Sequence, residues 1–180
     1  MTPQPARVLP ATMLKKRPRP PCPTGAVDSF EPETISVDRV IRHASVLQPP
    51  RDTLGIPGVR PLNRAGKLVF AFDREQGVRP GDRVGNVLLN THTWPRGTAL
   101  GSRLLAELDV GSQIVVNGQG SRKICYRVTQ EVQVSAYLPM WSYYATDGKP
   151  QLAIVVCSGT RLGPRNWNQR TVWFASPTNI

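Results

Sequence analysis

The sequence predicts an all-β protein, a barrel or a sandwich of short strands with irregular connections. Two features of the chain indicate this class. Short apolar runs recur along it, rich in β-branched and aromatic side chains, and Gly, Pro, Asp or Asn stands between them. Helical spacing is found in one segment, Ser102–Leu108, whose three leucines share a face and predict a short helix.

The predicted elements start near Thr34, where the texture of the sequence changes. A first apolar stretch, from Ile35 to Leu47, ends at Pro49 and Pro50. The later predicted strands are Leu68–Phe72, Val84–Leu89, Ile114–Val116, Ile124–Val128, Val132–Val134, Leu152–Val156 and Val172–Ala175. Gly118–Ser121 separates two of them as a hairpin turn. We therefore expect about seven to eight strands with one or two short helices.

Residues 1–33 are predicted to form an extended, basic arm in front of a folded domain at residues 34–180. Seven prolines fall within Met1–Pro23, next to the basic stretch Lys15–Arg19. Prolines remove backbone hydrogen-bond donors, and the segment has too few apolar side chains to form a core. A spacer is the simplest interpretation of such an arm. Contact with neighbours in a large assembly is the alternative.

The charge of the chain favours polyanions without identifying one. It has 180 residues, with 23 Lys+Arg against 12 Asp+Glu and a formal net charge of +11. A solvated basic surface is the simplest interpretation. No helix-turn-helix, zinc-finger or aromatic-rich strand motif accompanies the charge, so we do not expect a nucleic-acid partner. We also expect no membrane-spanning segment, because an apolar run of 18 residues is missing. We expect no export signal, because Met1–Pro23 is rich in Pro and Arg and does not have the charged, apolar and small-residue regions of one.

The cysteines and histidines argue against a metal enzyme. Cys22, Cys125 and Cys157 have no metal-ligand spacing, and an odd number of cysteines cannot form a complete disulfide framework. The two histidines of the chain exclude a multi-histidine site. No cofactor is therefore expected. Cys125 lies in the middle of a predicted strand, as a small buried residue does, and Cys22 lies in the arm with neither a core nor a base nearby.

Three residues at strand ends have side chains suited to acyl transfer. Cys157 follows the apolar run Leu152–Val156, so a strand would hold its thiol rigidly near the surface. His92 follows another run, Val87–Thr91, and its imidazole titrates near neutrality, as a general acid or base requires. Arg170 precedes the last predicted strand, and its guanidinium would stabilise a thiolate or an oxyanion.

The order and spacing of these three residues resemble those of the sortase family, the cysteine transpeptidases of Gram-positive cell envelopes. In that family a histidine follows a buried strand, an apolar run ends in the cysteine, and an arginine opens the last strand. Here 65 residues separate His92 from Cys157, and 13 separate Cys157 from Arg170. The resemblance covers residues 34–177. Further matching segments are Arg79–Asn86, Leu105–Ser112 and Ile35–Asp38, the last of which looks like the first strand of the compact actinobacterial sortases of class E or F.

The resemblance implies a closed β-barrel and a cysteine transpeptidase or peptidase, a thiol hydrolase or acyltransferase of the cell wall. Cys157 would be the nucleophile, His92 the general acid and base, and Arg170 the oxyanion partner. The implied partners are a peptide with a sorting-signal motif and an acceptor amine. Trp94, Ser158 and Trp141 would contact the substrate. The implied location is extracytoplasmic, at the cell envelope, although we see no anchor segment in this chain.

Three positions depart from the family pattern. Thr91 stands where sortases usually have Gly, Val156 where they have Thr, and Ala153 at another usual Thr. A second interpretation therefore stays open: a non-catalytic protein with the sortase fold, held by its arm in a larger assembly such as a particle or virion. The arm also contains Leu9-Pro10-Ala11-Thr12, which matches the Leu-Pro-x-Thr part of a sorting signal. The corresponding hypothesis is that it shields Cys157 as a pseudo-substrate.

Overall fold

Eight strands form a closed barrel in the computed structural model, which describes residues 22–59, 63, 65–95 and 97–178. Around the barrel the strands follow the order β1-β2-β3-β4-β7-β8-β6-β5. Their bounds are β1 (Pro32–Val37), β2 (Ile41–Leu47), β3 (Phe70–Phe72), β4 (Asn86–Thr91), β5 (Gln113–Gly118), β6 (Lys123–Ser135), β7 (Gln151–Gly163) and β8 (Asn166–Pro177). The prediction of an all-β closed barrel is confirmed.

The connections contain one α-helix and several single turns of 3-10 helix. Helix α1 (Leu100–Glu107) begins two residues before the predicted helix and buries Leu100 and Leu104 in the barrel core. The 3-10 turns span Ala65–Leu68, Arg74–Gln76, Gln119–Ser121 and Trp141–Tyr144. Gln119–Ser121 joins antiparallel β5 and β6, as the predicted hairpin required.

The two predicted strands Ile124–Val128 and Val132–Val134 are one long strand, β6. A register shift between Val128 and Gln130 lets this strand bend without leaving the sheet. The residues between the two apolar runs are exposed, so the local pattern resembled a loop. A β-bulge, rather than a turn, therefore accounts for the polar interval.

Alternate residues of β7 face two different apolar clusters. Leu152, Ile154 and Val156 belong to the main core inside the barrel. Ala153 and Val155 pack outside it, in a second cluster with residues of β4, β8 and the β6–β7 connection. Side chains of a strand alternate between its two faces, and β4 and β7 pair in parallel with both faces covered, which explains their continuous apolar sequences.

The segment before β1 lies against the barrel and is covalently attached to it. Cys22 and Cys125 form a disulfide, with a Cα–Cα distance of 5.8 Å and 103 residues between them. The Phe30 side chain is 3% exposed and belongs to the core, and its amide donates to the Pro80 carbonyl at 2.9 Å. The expectation that Cys22 lies in an arm with no core nearby is therefore wrong. Cys125 is buried, as expected, but it is half of a disulfide and not a free thiol. A pairing across 103 residues leaves no local sequence pattern.

The remainder of the arm, including Leu9–Thr12, lies outside the described residues. Within the described ranges, no helix has the length and apolarity needed to cross a membrane. Among the same residues, no group of three or more His, Cys, Asp or Glu side chains is arranged to bind a metal ion.

Candidate active site

Parallel pairing of β4 with β7 ends at Thr91 and Val156, the residues immediately before His92 and Cys157. His92 is the first residue after β4. Strand β7 continues to Gly163, so Cys157 lies inside its strand, whereas the sequence predicts it at the strand end. Because β4 and β7 are neighbours in the sheet, residues 65 positions apart in sequence come to adjacent places in the wall. The structure thus brings the histidine beside the cysteine.

Antiparallel pairing of β7 with β8 places Arg170 on the other side of Cys157. The two residues are direct register partners. Val155 lies two residues before Cys157, and Val172 lies two residues after Arg170. Both valines pack in the outer cluster. By strand alternation, Cys157 and Arg170 share that outer face of the barrel wall. Arg170 lies inside β8 and not before it as expected, because β8 begins at Asn166. Strand β7 thus carries Cys157 between Arg170 on β8 and His92 in the segment that follows β4.

Cys157 is the free cysteine of the chain, since the other two form the disulfide. Its side chain is partly buried. Burial raises the pKa of the Cys157 thiol above its ordinary value, because the protein interior solvates a thiolate poorly. The positive charge of Arg170 lowers that pKa, but by less. The resting side chain at neutral pH is therefore the thiol, and Arg170 favours its ionised form.

The Arg170 side chain is oriented by main-chain carbonyls of its own hairpin. Its Nη1 atom donates to the carbonyls of Trp167 at 3.2 Å and Gln169 at 2.9 Å. Both bonds use the same terminal nitrogen, so they fix the plane of the guanidinium without engaging Nε or Nη2. A guanidinium has five donors in a rigid fork. The arrangement can therefore direct donors toward a group bound at Cys157.

The loop that carries His92 is held by the first turn of α1. The Gly101 amide donates to the His92 carbonyl at 2.8 Å. A Cβ atom at Gly101 would lie 2.6 Å from that carbonyl oxygen, so the close approach requires glycine. The Ser102 hydroxyl accepts from the Trp94 amide and donates to the Trp94 carbonyl, both at 3.1 Å. The backbone on the C-terminal side of His92 is consequently well fixed.

The β6–β7 connection packs on the outer cluster near the site. Asn86, at the start of β4, donates from its side-chain nitrogen to the carbonyls of Ser142 at 2.7 Å and Tyr143 at 3.0 Å. The Tyr143 hydroxyl donates to the Leu89 carbonyl at 3.2 Å, and its ring lies in the outer cluster. Trp141, the first residue of this anchored turn, is 79% exposed. The connection therefore presents an aromatic side chain to solvent from a fixed base.

The three predicted substrate-contact residues have different surroundings. Trp94 is partly buried, and the Lys67 ammonium lies 4.2 Å from its ring centroid in a cation–π contact. Trp141 is exposed on the β6–β7 connection. Ser158 is buried, and its hydroxyl has no hydrogen-bond partner among the described residues. By alternation, its side chain faces away from Cys157, so only its main chain adjoins the site.

Sequence reasoning missed the polar residues that hold the site together. Thr93 donates from its hydroxyl to the Cys157 carbonyl, and Asn86 anchors the β6–β7 connection. Both contacts join residues more than 50 positions apart. A Thr after a histidine and an Asn at a strand start are ordinary local signals for a turn. Only the strand order shows which distant carbonyl each side chain meets.

Comparison with solved structures identifies the fold as that of sortases. Sortase C1 of Streptococcus agalactiae, in complex with MTSET, superposes with a TM-score of 0.61 at 12% identity, covering 85% of this chain and 71% of that one. Listeria monocytogenes sortase A gives a TM-score of 0.56 at 17% identity, with coverages of 84% and 87%. Sortase C1 of Streptococcus suis gives 0.59 at 10% identity, with 85% and 74%. No protein-family model and no curated protein sequence matches the chain.

Proposed function

We propose that this protein is a sortase-like cysteine transpeptidase or peptidase, related to the compact actinobacterial class. One observation carries the proposal. On a barrel with the sortase fold, the β7–β8 ladder pairs Cys157 with Arg170, and His92 follows β4, the strand on the other side of β7. A nucleophile flanked by a titratable base and a fixed cation is the arrangement that acyl transfer needs.

In the proposed reaction, the Cys157 sulfur attacks a peptide carbonyl carbon. The thiol proton passes to His92, and the carbonyl π-electrons move to oxygen to form an oxyanion. Collapse of this tetrahedral species breaks the peptide C–N bond, and His92 returns the proton to the departing amine. The product is a thioester on Cys157. An acceptor amine, or water, then attacks the thioester carbonyl and loses a proton to His92. The C–S bond breaks, and the departing Cys157 sulfur takes that proton from His92 to restore the thiol.

Arg170 is proposed to bind the oxyanion through the guanidinium donors that its hairpin contacts leave unengaged. A main-chain N–H near Ser158 is the proposed second donor. Sortases usually have a Thr before the cysteine. Here that position is Val156, which has no hydroxyl and packs in the main core. Oxyanion binding in this chain therefore depends on the guanidinium and the main chain.

The proposed substrate is an extended peptide with a sorting-signal motif, and the proposed acceptor is an amine of the cell wall or of a protein. Trp94 and Trp141 offer apolar surface for side chains of the peptide. The proposed location is extracytoplasmic. The Cys22–Cys125 disulfide supports it, because structural disulfides form and persist in oxidising compartments.

The test uses the wild-type protein with a fluorogenic Leu-Pro-x-Thr-Gly peptide and a randomised peptide pool, each with and without triglycine as acceptor. Intact-mass measurement would detect a thioester adduct on Cys157, which hydroxylamine should release. Cys157→Ala should form no adduct, and Cys22→Ser/Cys125→Ser should still form one. If the wild-type protein neither cleaves a peptide nor forms an adduct, the enzymatic proposal is wrong, and the non-catalytic alternative takes its place.

A further inference from the structure

A side chain ties the histidine loop to the cysteine strand. The Thr93 hydroxyl, one residue after His92, donates a hydrogen bond to the main-chain carbonyl of Cys157. This contact spans 64 positions of the sequence. It therefore connects the residue next to the base with the backbone of the nucleophile itself.

The position of this bond follows from where β4 leaves the sheet. The β4–β7 ladder ends at the pair Thr91 and Val156, and beyond it the chain turns toward α1. The next carbonyl of β7 along this edge, that of Cys157, meets the Thr93 hydroxyl instead of a backbone amide of β4. A carbonyl at the end of a ladder needs such a donor. The side chain thus extends the contact between the two strands past the end of β4.

A second threonine anchors the other side of His92. The Thr91 hydroxyl donates to the Val69 carbonyl at 2.8 Å, a bond directed toward β3 rather than β7. The His92 carbonyl itself accepts from the Gly101 amide at 2.8 Å. The backbone of His92 is therefore fixed on both sides, and beyond the last ladder pair, Thr91 with Val156, the Thr93 side chain continues the contact to Cys157.

We propose that Thr93 is a positioning residue whose bond to the Cys157 carbonyl sets the distance between the His92 imidazole and the Cys157 thiol. The proposal rests on the proposed function in one respect, that His92 and Cys157 exchange a proton. Proton transfer needs the two groups within hydrogen-bond reach, and small displacements reduce its rate strongly. Loss of the Thr93 bond lets the loop move away from β7 and weakens this coupling.

The experiment compares Thr93→Val, which removes the hydroxyl at nearly constant size, with Thr93→Ser, which keeps it. Thr91→Val is the matched control, because it deletes the same kind of bond beside His92, but one whose acceptor is the Val69 carbonyl and not a carbonyl of β7. Each variant is made in the His92 protein and in His92→Gln. Without reductant the disulfide leaves Cys157 as the reactive thiol, so its alkylation rate by iodoacetamide can be measured across pH. Circular dichroism melting checks the fold of every variant.

We expect Thr93→Val to slow alkylation near neutral pH about three- to tenfold, the effect of one hydrogen bond. The same change should have no further effect in His92→Gln, because it acts through the histidine. Thr93→Ser should restore the rate to within about twofold. Thr91→Val should lower the melting temperature while leaving the alkylation profile unchanged. With a peptide substrate, Thr93→Val should lower kcat at constant KM.

Two results would overturn the positioning role. In one, Thr93→Val alkylates with the wild-type pH profile. In the other, Thr93→Val lowers the alkylation rate by the same factor in the His92 protein and in His92→Gln. An equal loss in Thr91→Val would likewise reduce Thr93 to general support of the loop. Failure of the proposed function has a different signature. In that case wild-type protein turns over no peptide, while alkylation still depends jointly on Thr93 and His92.

Discussion

Cys157 and Arg170 are direct partners across the β7–β8 ladder, and both stand on the outer face of the barrel wall. The charge of Arg170 lowers the pKa of Cys157 against the larger, opposite effect of burial. Two side chains fixed on paired strands keep their separation without a loop to hold them. Charge and donor geometry of Arg170 can therefore be tested separately.

Arg170→Lys keeps the charge and removes the planar fork. If the guanidinium binds the oxyanion, kcat should fall about 10²- to 10³-fold, the usual loss for one oxyanion donor, equivalent to about 3–4 kcal/mol. Steady-state kinetics with a cleavable peptide would measure the loss. Full turnover in the lysine variant would assign Arg170 a structural role in the hairpin.

Arg170→Gln removes the charge as well. Because that charge lowers the pKa of Cys157, the pKa should rise further, and the thiolate fraction at a given pH should fall. The midpoint of the alkylation rate against pH should therefore move upward relative to wild type, while Arg170→Lys should stay close to it. A downward or absent shift in the glutamine variant would show that the charge does not reach the thiol.

A thiol-directed probe should label Cys157 and neither other cysteine in the oxidised protein. Peptide mapping after labelling with a maleimide, with and without prior reduction, would show this. Cys157→Ala should give no label without reductant and should melt at the wild-type temperature to within about 2 °C, since the residue is only partly buried. Label on Cys22 in unreduced protein would contradict the disulfide.

Cys22→Ser/Cys125→Ser should lower the free energy of unfolding by roughly 2–5 kcal/mol, the usual effect of losing a native disulfide. The crosslink closes a loop of about one hundred residues, and such a constraint acts mainly on the unfolded chain. Urea titrations of wild type with and without dithiothreitol should reproduce the difference. The double variant should itself be insensitive to dithiothreitol, whereas Cys157→Ser, which keeps the disulfide, should respond to the reductant as wild type does.

Asn86→Ala should loosen the β6–β7 connection. The substitution deletes both side-chain donors to the Ser142 and Tyr143 carbonyls and leaves those acceptors without their bonds. Unsatisfied buried groups cost about 1–3 kcal/mol, so stability should drop by that order. If the connection contacts the peptide, KM should rise more than kcat falls. Tyr143→Phe, which removes one bond from the same turn, should show a smaller effect in the same direction.

Local pattern predicted most of the barrel, because its signal lies in short apolar runs between turn residues. It also indicated Cys157, His92 and Arg170 from the apolar runs beside them, although of the three only His92 follows the end of its strand, and Cys157 and Arg170 lie inside β7 and β8. Their proximity is a property of strand order: β4 lies next to β7 although two strands intervene in sequence. Periodicity predicts that strands exist, whereas their neighbours are set by packing over the whole chain.

Two departures from the sortase pattern fall on a single register pair. Thr91 and Val156 face each other across the β4–β7 ladder. Val156 packs in the main core, and the Thr91 hydroxyl bonds the Val69 carbonyl. Sequence alone treats the two substitutions as independent losses. In the structure, Thr91, which is larger than the usual Gly, and Val156, which is apolar where a Thr is usual, stand side by side on adjacent strands of the barrel.

At Cys157 the barrel wall is a single β-sheet, in which Val156 faces the core and Cys157 faces outward. A one-residue insertion or deletion within β7 before these positions would exchange the two, turning the thiol into the core and the valine outward. Strand β7 can therefore accept substitutions but not changes of length. Length variation among relatives of this chain should be confined to the connections, and loop engineering should leave the three-strand register intact.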